Sequence, residues 1–252
     1  MFAMPIYAVP KPHSTDLRLI MDHSAGQSSL NRMIDHSKVT GFPLDNMHHH
    51  GEMLFDIQKS AGNVPLTLWK SDIADAYQLL PMHPNWQIKQ IITVDRKHYV
   101  DRNRAFGSPG IFISFNSLVA WIAKYVKEIH YISDYVDDSS GCNQKDDMSF
   151  YPPYGKELPT DQCHLLLLWD ELGIPHKECK QVYGSPLSII GIDIDTNRMT
   201  LSLPQDAKER LLSELRYWAA KPPKSSSGSF RLKYWEQLAG WFNWALNIFA
   251  QL

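Results

Sequence analysis

The sequence predicts an α+β protein, because short β-prone segments and amphipathic helices follow one another without the regular strand–helix–strand repeat of a parallel sheet. Three observations carry this reading. The chain of 252 residues is 44% hydrophobic and 21% charged, with 13 Gly and 16 Pro, a composition able to build a core. Apolar residues recur at helical spacing in four places, and β-branched or aromatic runs lie between them. By area scaling, a chain of this size buries somewhat over about 70% of the surface its unfolded form exposes.

In chain order, Leu17 to Met21, Leu66 to Trp69 and Ile91 to Val94 read as strands. Phe112, Phe115, Leu118, Val119, Ile122, Val126 and Ile129 share one face at helical spacing, which predicts a buried amphipathic helix over about 111–129. Tyr131 to Val136 is a strand. The next helix has Thr160 as N-cap, Gly173 as its stop with Pro175 beyond, and Leu165, Leu168, Trp169 and Leu172 as its apolar face. Ile189 to Ile194 is a further strand. A third helix begins near Pro204 and turns Leu211, Leu215 and Trp218 inward. The Pro- and Ser-rich segment 221–229 reads as a linker, and a last helix carries Trp235, Leu238, Phe242 and Ala245.

Charge and cysteine usage narrow the functional classes. Lys and Arg number 25 against 27 Asp and Glu, so the net charge of -2 neither demands nor excludes a polyanionic partner. Its distribution is uneven: residues 89–127 hold seven basic side chains against two acidic, and residues 134–170 hold eight acidic against two basic. A basic surface beside an acidic focus fits a polyanion held over a metal site; solvated charge is the blander alternative. Cys142, Cys163 and Cys179 are odd in number and lack CxxC spacing, which points to reduced thiols in an intracellular protein. No apolar run approaches a membrane span, and no GxGxxG, P-loop or GxSxG occurs. His48 to His50 reads as a surface loop, because three consecutive histidines do not converge on one face. Cys163, His164, His176 and Cys179 lack standard zinc spacing.

Two acidic points sit at the ends of strand-like runs. One is Asp72-Ile-Ala-Asp75-Ala-Tyr77 after Leu68-Trp-Lys-Ser. The other is Tyr135-Val-Asp137-Asp138-Ser-Ser-Gly141, the pattern of a hairpin with carboxylates at its tip. Either alone reads as a solvated turn. Together they suit Mg²⁺-dependent phosphoryl transfer, in which two ions about 3.5–4 Å apart need hard oxygen ligands from converging strands.

These segments, in this order, resemble the motifs of reverse transcriptases over nearly the whole chain. Lys11 and Arg18, seven residues apart in Val9 to Asp22, are similar to the fingers pair, and Ser29-Leu-Asn31 follows. Asp72 to Tyr77 resembles motif A, Arg104 to Phe112 motif B, and Tyr135-Val-Asp-Asp138 motif C. Leu172 to Lys180 and Ile189 to Ile194 resemble motifs D and E. Leu168 to His176, Lys180-Gln and Gly240 to Asn247 look like the polymerases of fungal DIRS-like (tyrosine-recombinase) retrotransposons.

The resemblance implies a right-hand polymerase: 1–70 a fingers portion, 71–203 the palm with the metal site, and 204–252 a partial thumb or connection with the Pro/Ser linker. It implies an RNA-directed DNA polymerase fragment using two Mg²⁺ ions, a primed RNA or DNA template and dNTP, within a retroelement polyprotein. Asp72, Asp137 and Asp138 would face the metals, Asp72 and Asp137 as principal ligands, with the Ile73 backbone contributing. Lys11 and Arg18 would hold the triphosphate. Asp75 and Tyr77 would line the sugar pocket, and Phe106 and Gly107 would lie near the nascent pair. Lys180, with Lys177 as the alternative, would be the motif D lysine that protonates pyrophosphate. The sequence departs from the family at motif B, where the spacing from Gly107 to Pro109 is short. The chain also opens at the fingers motif and stops within the thumb. Both departures favour the alternative, an inactive relic that keeps the fold and binds nucleic acid.

Overall fold

The structure is a computed structural model that describes residues 3–10, 15–27, 29–35, 37, 45, 47–103, 111–220 and 232–246, with residues 18, 77, 78, 111–114 and 233 described by their backbone. Strands β1 (Ile6–Pro10) and β2 (Leu17–Met21) form an antiparallel hairpin, followed by the short helix α1 (Leu30–Met33) and by α2 (Met47–Ala61). Next come β3 (Leu66–Asp72), a 3-10 turn (Ala76–Leu79), α3 (Pro84–Gln87) and the hairpin β4 (Ile91–Val94) and β5 (Lys97–Val100). Then α4 (Ile111–Val126) leads to β6 (Ile132–Tyr135) and β7 (Asp138–Gln144). The hairpin β8 (Met148–Tyr151) and β9 (Lys156–Pro159) precedes α5 (Thr160–Leu172). The chain closes with β10 (Val182–Gly184), β11 (Leu187–Ile189), β12 (Ile192–Asp195), β13 (Thr200–Ser202), α6 (Gln205–Ala220) and α7 (Leu232–Leu246).

The central sheet is antiparallel in the order β10-β3-β7-β6. The inner strand β3 is buried on both faces from Leu66 to Trp69. Leu66 and Leu68 point into a core shared with α2 (Met47, Leu54, Ile57) and with Ile189, Ile192 and Ile194. Trp69 points the other way, into a core built by Val119 and Ala123 of α4 and Leu165, Leu166 and Trp169 of α5. Gly141 lies opposite Trp69 in register, and a side chain there would collide with the indole and with the Tyr131 carbonyl. The indole N–H donates to Asn143 Oδ1 at 3.0 Å, which satisfies the buried ring.

Several expectations need correction. The helix predicted to 129 ends at Val126, and Leu118 and Val126 are exposed although they share the expected apolar face. Thr160 is the first residue of α5 rather than its cap; Pro159 occupies the cap, and Thr160 Oγ1 bonds Ser149 Oγ at 2.9 Å instead. Gly173 does end that helix, in the left-handed region at φ 68°, but Leu172 is exposed and Cys163 and Leu166 are buried in its place. The strand expected over 189–194 is a hairpin, with Ile190 and Gly191 both at positive φ in the turn between β11 and β12. The three histidines lie in α2 rather than in a loop, and His50 is buried against Ser140, Nε2 to Oγ 3.4 Å. Trp235 and Phe242 of α7 are exposed, whereas Ala245 is buried. The linker 221–229 lies outside the described residues. All three cysteines are free thiols, with Cys179 exposed. Among the described residues no helix is long and apolar enough to cross a membrane.

Candidate active site

The site grows from the period-2 geometry of two neighbouring strands. Asp72 ends β3 and Asp138 begins β7, and they are direct partners in the antiparallel register, so both carboxylates leave the same face of the sheet. Two like charges placed opposite each other repel, and the structure compensates each with its own lysine. Lys70, two residues before Asp72 and therefore on the same face, sets its Nζ 2.8 Å from Asp138 Oδ2. Lys180, following the segment after α5, sets its Nζ 2.5 Å from Asp72 Oδ1. Gln181 ties the same segment down by donating to the Asp72 carbonyl at 3.3 Å and to the Lys177 carbonyl at 3.0 Å.

Asp137 is brought in by a tight turn. Val136 and Asp137 link β6 to β7, and Val136 sits at φ 60°, a conformation that costs a β-branched residue about 1–3 kcal/mol. The Asp137 carbonyl accepts the Ile73 N–H at 3.2 Å, which fixes the turn against the end of β3. Asp137 is held above the ordinary carboxylate range, first by burial and then by the neighbouring charges of Asp138 and Asp72, with Lys180 pulling it back. Asp138 is also raised, because burial outweighs its bond to Lys70. The corner therefore concentrates negative charge that water solvates poorly, the condition under which carboxylates attract cations.

Of the other residues singled out from sequence, Asp75 is exposed, adopts φ 53°, and faces Lys177 with Nζ 4.0 Å from Oδ2. Tyr77 lies in the 3-10 turn Ala76–Leu79, and Arg18 pairs with Val9 in the β1–β2 ladder; their side chains lie outside the description. Lys11, Phe106 and Gly107 lie outside the described residues, as does most of the motif B segment. Lys70 is not among the residues singled out from sequence, and Gln181 enters only beside Lys180 in the resemblance, not as a site residue. Lys70 carried a usable signal, since a strand places residues two apart on one face. The tie from Gln181 to the Asp72 carbonyl carried none, because the two lie 109 residues apart.

Among the described residues no three His, Cys, Asp or Glu side chains form a ready metal cage. The donor set nevertheless fits Mg²⁺, which keeps several waters and takes only one or two carboxylates together with substrate phosphates. The Lys180 and Lys70 ammonium groups rest on Asp72 and Asp138, so an ion bound there would have to displace them from those oxygens.

No protein-family model matches the chain, and no curated protein does either. Solved structures do resemble it. One, a foamy viral protease-reverse transcriptase in complex with dsDNA, is 20% identical with a TM-score of 0.55, over 96% of this chain and 42% of that one. A second, the foamy viral protease-reverse transcriptase in complex with an RNA/DNA hybrid, is 19% identical with a TM-score of 0.56, over 96% of this chain and 27% of that one. A third, the dRH form in complex with ds DNA, is 19% identical with a TM-score of 0.54, over 96% of this chain and 36% of that one. This chain has a reverse-transcriptase-like fold. It spans less than half the length of those chains.

Proposed function

We propose that the chain is the catalytic part of an RNA-directed DNA polymerase of a retroelement of the DIRS-like kind. Residues 1–70 serve as a fingers portion, 71–203 as the palm and 204–252 as a partial thumb. The observation that carries the reading is the in-register pairing of Asp72 with Asp138, with Asp137 on the adjoining turn, in a fold similar to that of reverse transcriptases. The substrates are a primed RNA or DNA template and a dNTP, and an intracellular site of action accords with the free thiols.

Two Mg²⁺ ions at this corner would supply charge neutralisation and a lowered pKa for the primer 3′ hydroxyl. Asp72 and Asp137 would hold them as principal ligands with an oxygen from the Ile73 backbone, and Asp138, which is paired to Lys70, would face them too. Asp137, raised by burial and by the neighbouring carboxylates, is a group whose negative charge a divalent cation would offset. Lys180, now on Asp72, would be the group that protonates the leaving pyrophosphate. Lys11 and Arg18 neutralise the triphosphate, Asp75 and Tyr77 border the sugar, and Phe106 and Gly107 flank the new base pair.

The test is extension of a DNA primer on an RNA template in Mg²⁺, with Asp137→Asn beside the parent and duplex binding followed in the same reactions. Extension by the parent alone supports the reading. Binding without extension by the parent refutes it in favour of the inactive relic.

A further inference from the structure

A polar cluster around the buried His176 ring, with the exposed Asp170 at its edge, is made of residues that the proposed reaction does not use. Tyr151 ends β8, Tyr154 lies in the following 3-10 turn (Pro152–Tyr154), Trp169 and Asp170 lie in the last turn of α5, and His176 follows three residues after Gly173. The His176 side chain is 7% exposed. Its Nδ1 is 2.5 Å from Tyr154 Oη, and its Nε2 is 3.1 Å from Asp170 Oδ1 and 3.3 Å from Tyr151 Oη. Tyr151 Oη donates to Asp170 Oδ2 at 2.6 Å.

The polar groups of Tyr151, Tyr154, Asp170 and His176 all have partners. The Tyr154 hydroxyl meets Nδ1, Nε2 meets one Asp170 oxygen, and the Tyr151 hydroxyl donates to the other, so both ring nitrogens are used. Both phenols keep their protons: burial, then the Asp170 charge, pushes Tyr154 up to about 12 and Tyr151 higher still. The rings of Tyr151, Tyr154 and Trp169 enclose the imidazole, with centroids 5.6–6.1 Å away.

The backbone on either side of His176 reaches the active corner directly. His176 forms an antiparallel bridge with Ile73, the residue after Asp72, and the Ala74 N–H donates to the Pro175 carbonyl at 2.8 Å. Immediately downstream, Lys177 faces Asp75, Lys180 bonds Asp72, and Glu178 pairs with Lys156 of β9. The segment carrying both lysines thus has its upstream anchor in the imidazole.

We infer that His176 is a positioning residue, held by Tyr154 and Asp170, that seats the 177–180 segment so that Lys180 reaches Asp72 and Lys177 faces Asp75. The inference rests on the polymerase reading for what Lys180 does, but the seating itself is a matter of distance and is measurable without activity. It extends to the β8–β9 hairpin a role in the site that its position behind the sheet conceals.

The experiment is zero-length carbodiimide cross-linking with peptide mapping, which joins an amine to a carboxylate only when the two are in contact. In the parent, both the Lys180–Asp72 and the Lys70–Asp138 links form. The second comes from the sheet alone and reports on the fold. His176→Leu keeps the backbone bridge and removes the ring's bonds; the expected result is a loss of about five-fold or more in the Lys180–Asp72 link, with Lys70–Asp138 within about two-fold. Tyr154→Phe, which deletes one hydroxyl, gives a smaller loss in the same direction, and His176→Gln, which can still reach Asp170, restores part of the link. An unchanged Lys180–Asp72 link in His176→Leu overturns the inference, and so does a parallel fall of both links in His176→Leu and Tyr154→Phe, which would make the cluster a general support of the fold. In primer extension, His176→Leu lowers kcat about ten-fold with the KM for dNTP within about three-fold. A parent that does not extend primers overturns the polymerase reading and leaves the cross-linking result standing.

Discussion

Replacing Gly141 by Ala tests the link between the core and the active corner. Gly141 lies in β7, three residues after Asp138 and opposite Trp69. An added methyl would stand 2.6 Å from Trp69 Cε2 and closer still to Cζ2 and to the Tyr131 carbonyl. The indole has no room to retreat, since Trp69 is fully buried and bonded to Asn143. The carbonyl is backbone, so the strand itself must shift. Overpacking of this kind costs about 1–3 kcal/mol, and a clash against backbone on one side and a locked ring on the other belongs at the upper end. For a chain of this size about 3 kcal/mol corresponds to a Tm lower by about 6–12 °C. The assay is urea and thermal unfolding followed by circular dichroism, with Gly51→Ala as the control. At Gly51, within α2, an added methyl meets nothing within 4 Å, so alanine should stabilise by about 0.5–1 kcal/mol. A loss below about 0.5 kcal/mol in Gly141→Ala would refute the argument that this close approach sets the register bringing Asp138 opposite Asp72.

Three further outcomes follow from named groups. Burial lowers His50 to about 4 from an ordinary 6.5, so the unfolded chain takes up its proton first. Stability is therefore complete above pH 6.5 and falls by up to about 3 kcal/mol as the pH drops toward 4, and a pH series of urea midpoints should show His50→Gln with a flatter acid limb. Asp137 and Asp138 are raised above the ordinary 3.8, so their ionisation costs stability as the pH rises from 3.8 through their folded values. Added Mg²⁺ favours the ionised forms and should raise Tm more at neutral pH than at pH 4, and a chelator should reverse the gain. Burial raises both Cys142, to about 12, and Cys163, whereas Cys179 is exposed, so a thiol reagent should label one cysteine in the native protein, at position 179, and three after denaturation.

The parts of the fold that were legible in the sequence are those set by local rules. The hairpin carrying Asp137 and Asp138 follows from β-branched residues running into a turn, and the end of α5 follows from a glycine at a left-handed cap. The face of α4 was not legible at Leu118 and Val126, because apolar residues surround that helix and its period does not single out the side that meets Val119 and Ala123. The hairpin at Ile190 and Gly191 was hidden by an apolar run that reads as continuous strand. The pairing of Asp72 with Asp138 spans 66 residues, and that of Lys180 with Asp72 spans 108; neither is a matter of periodicity. Motif resemblance pointed to these residues, Lys70 was readable as a same-face neighbour of Asp72, and the contacts of the His176 cluster are set by the fold alone.

The most direct test of the account is the cation stoichiometry of the corner itself. Mn²⁺ would be titrated by electron paramagnetic resonance into the protein held with a chain-terminated primer on an RNA template and the next dNTP, so that no turnover occurs. The account predicts two bound ions per complex in the parent and at most one in Asp137→Asn, with primer–template affinity retained. Two ions in both proteins, or none in either while the duplex and dNTP are bound, would contradict it.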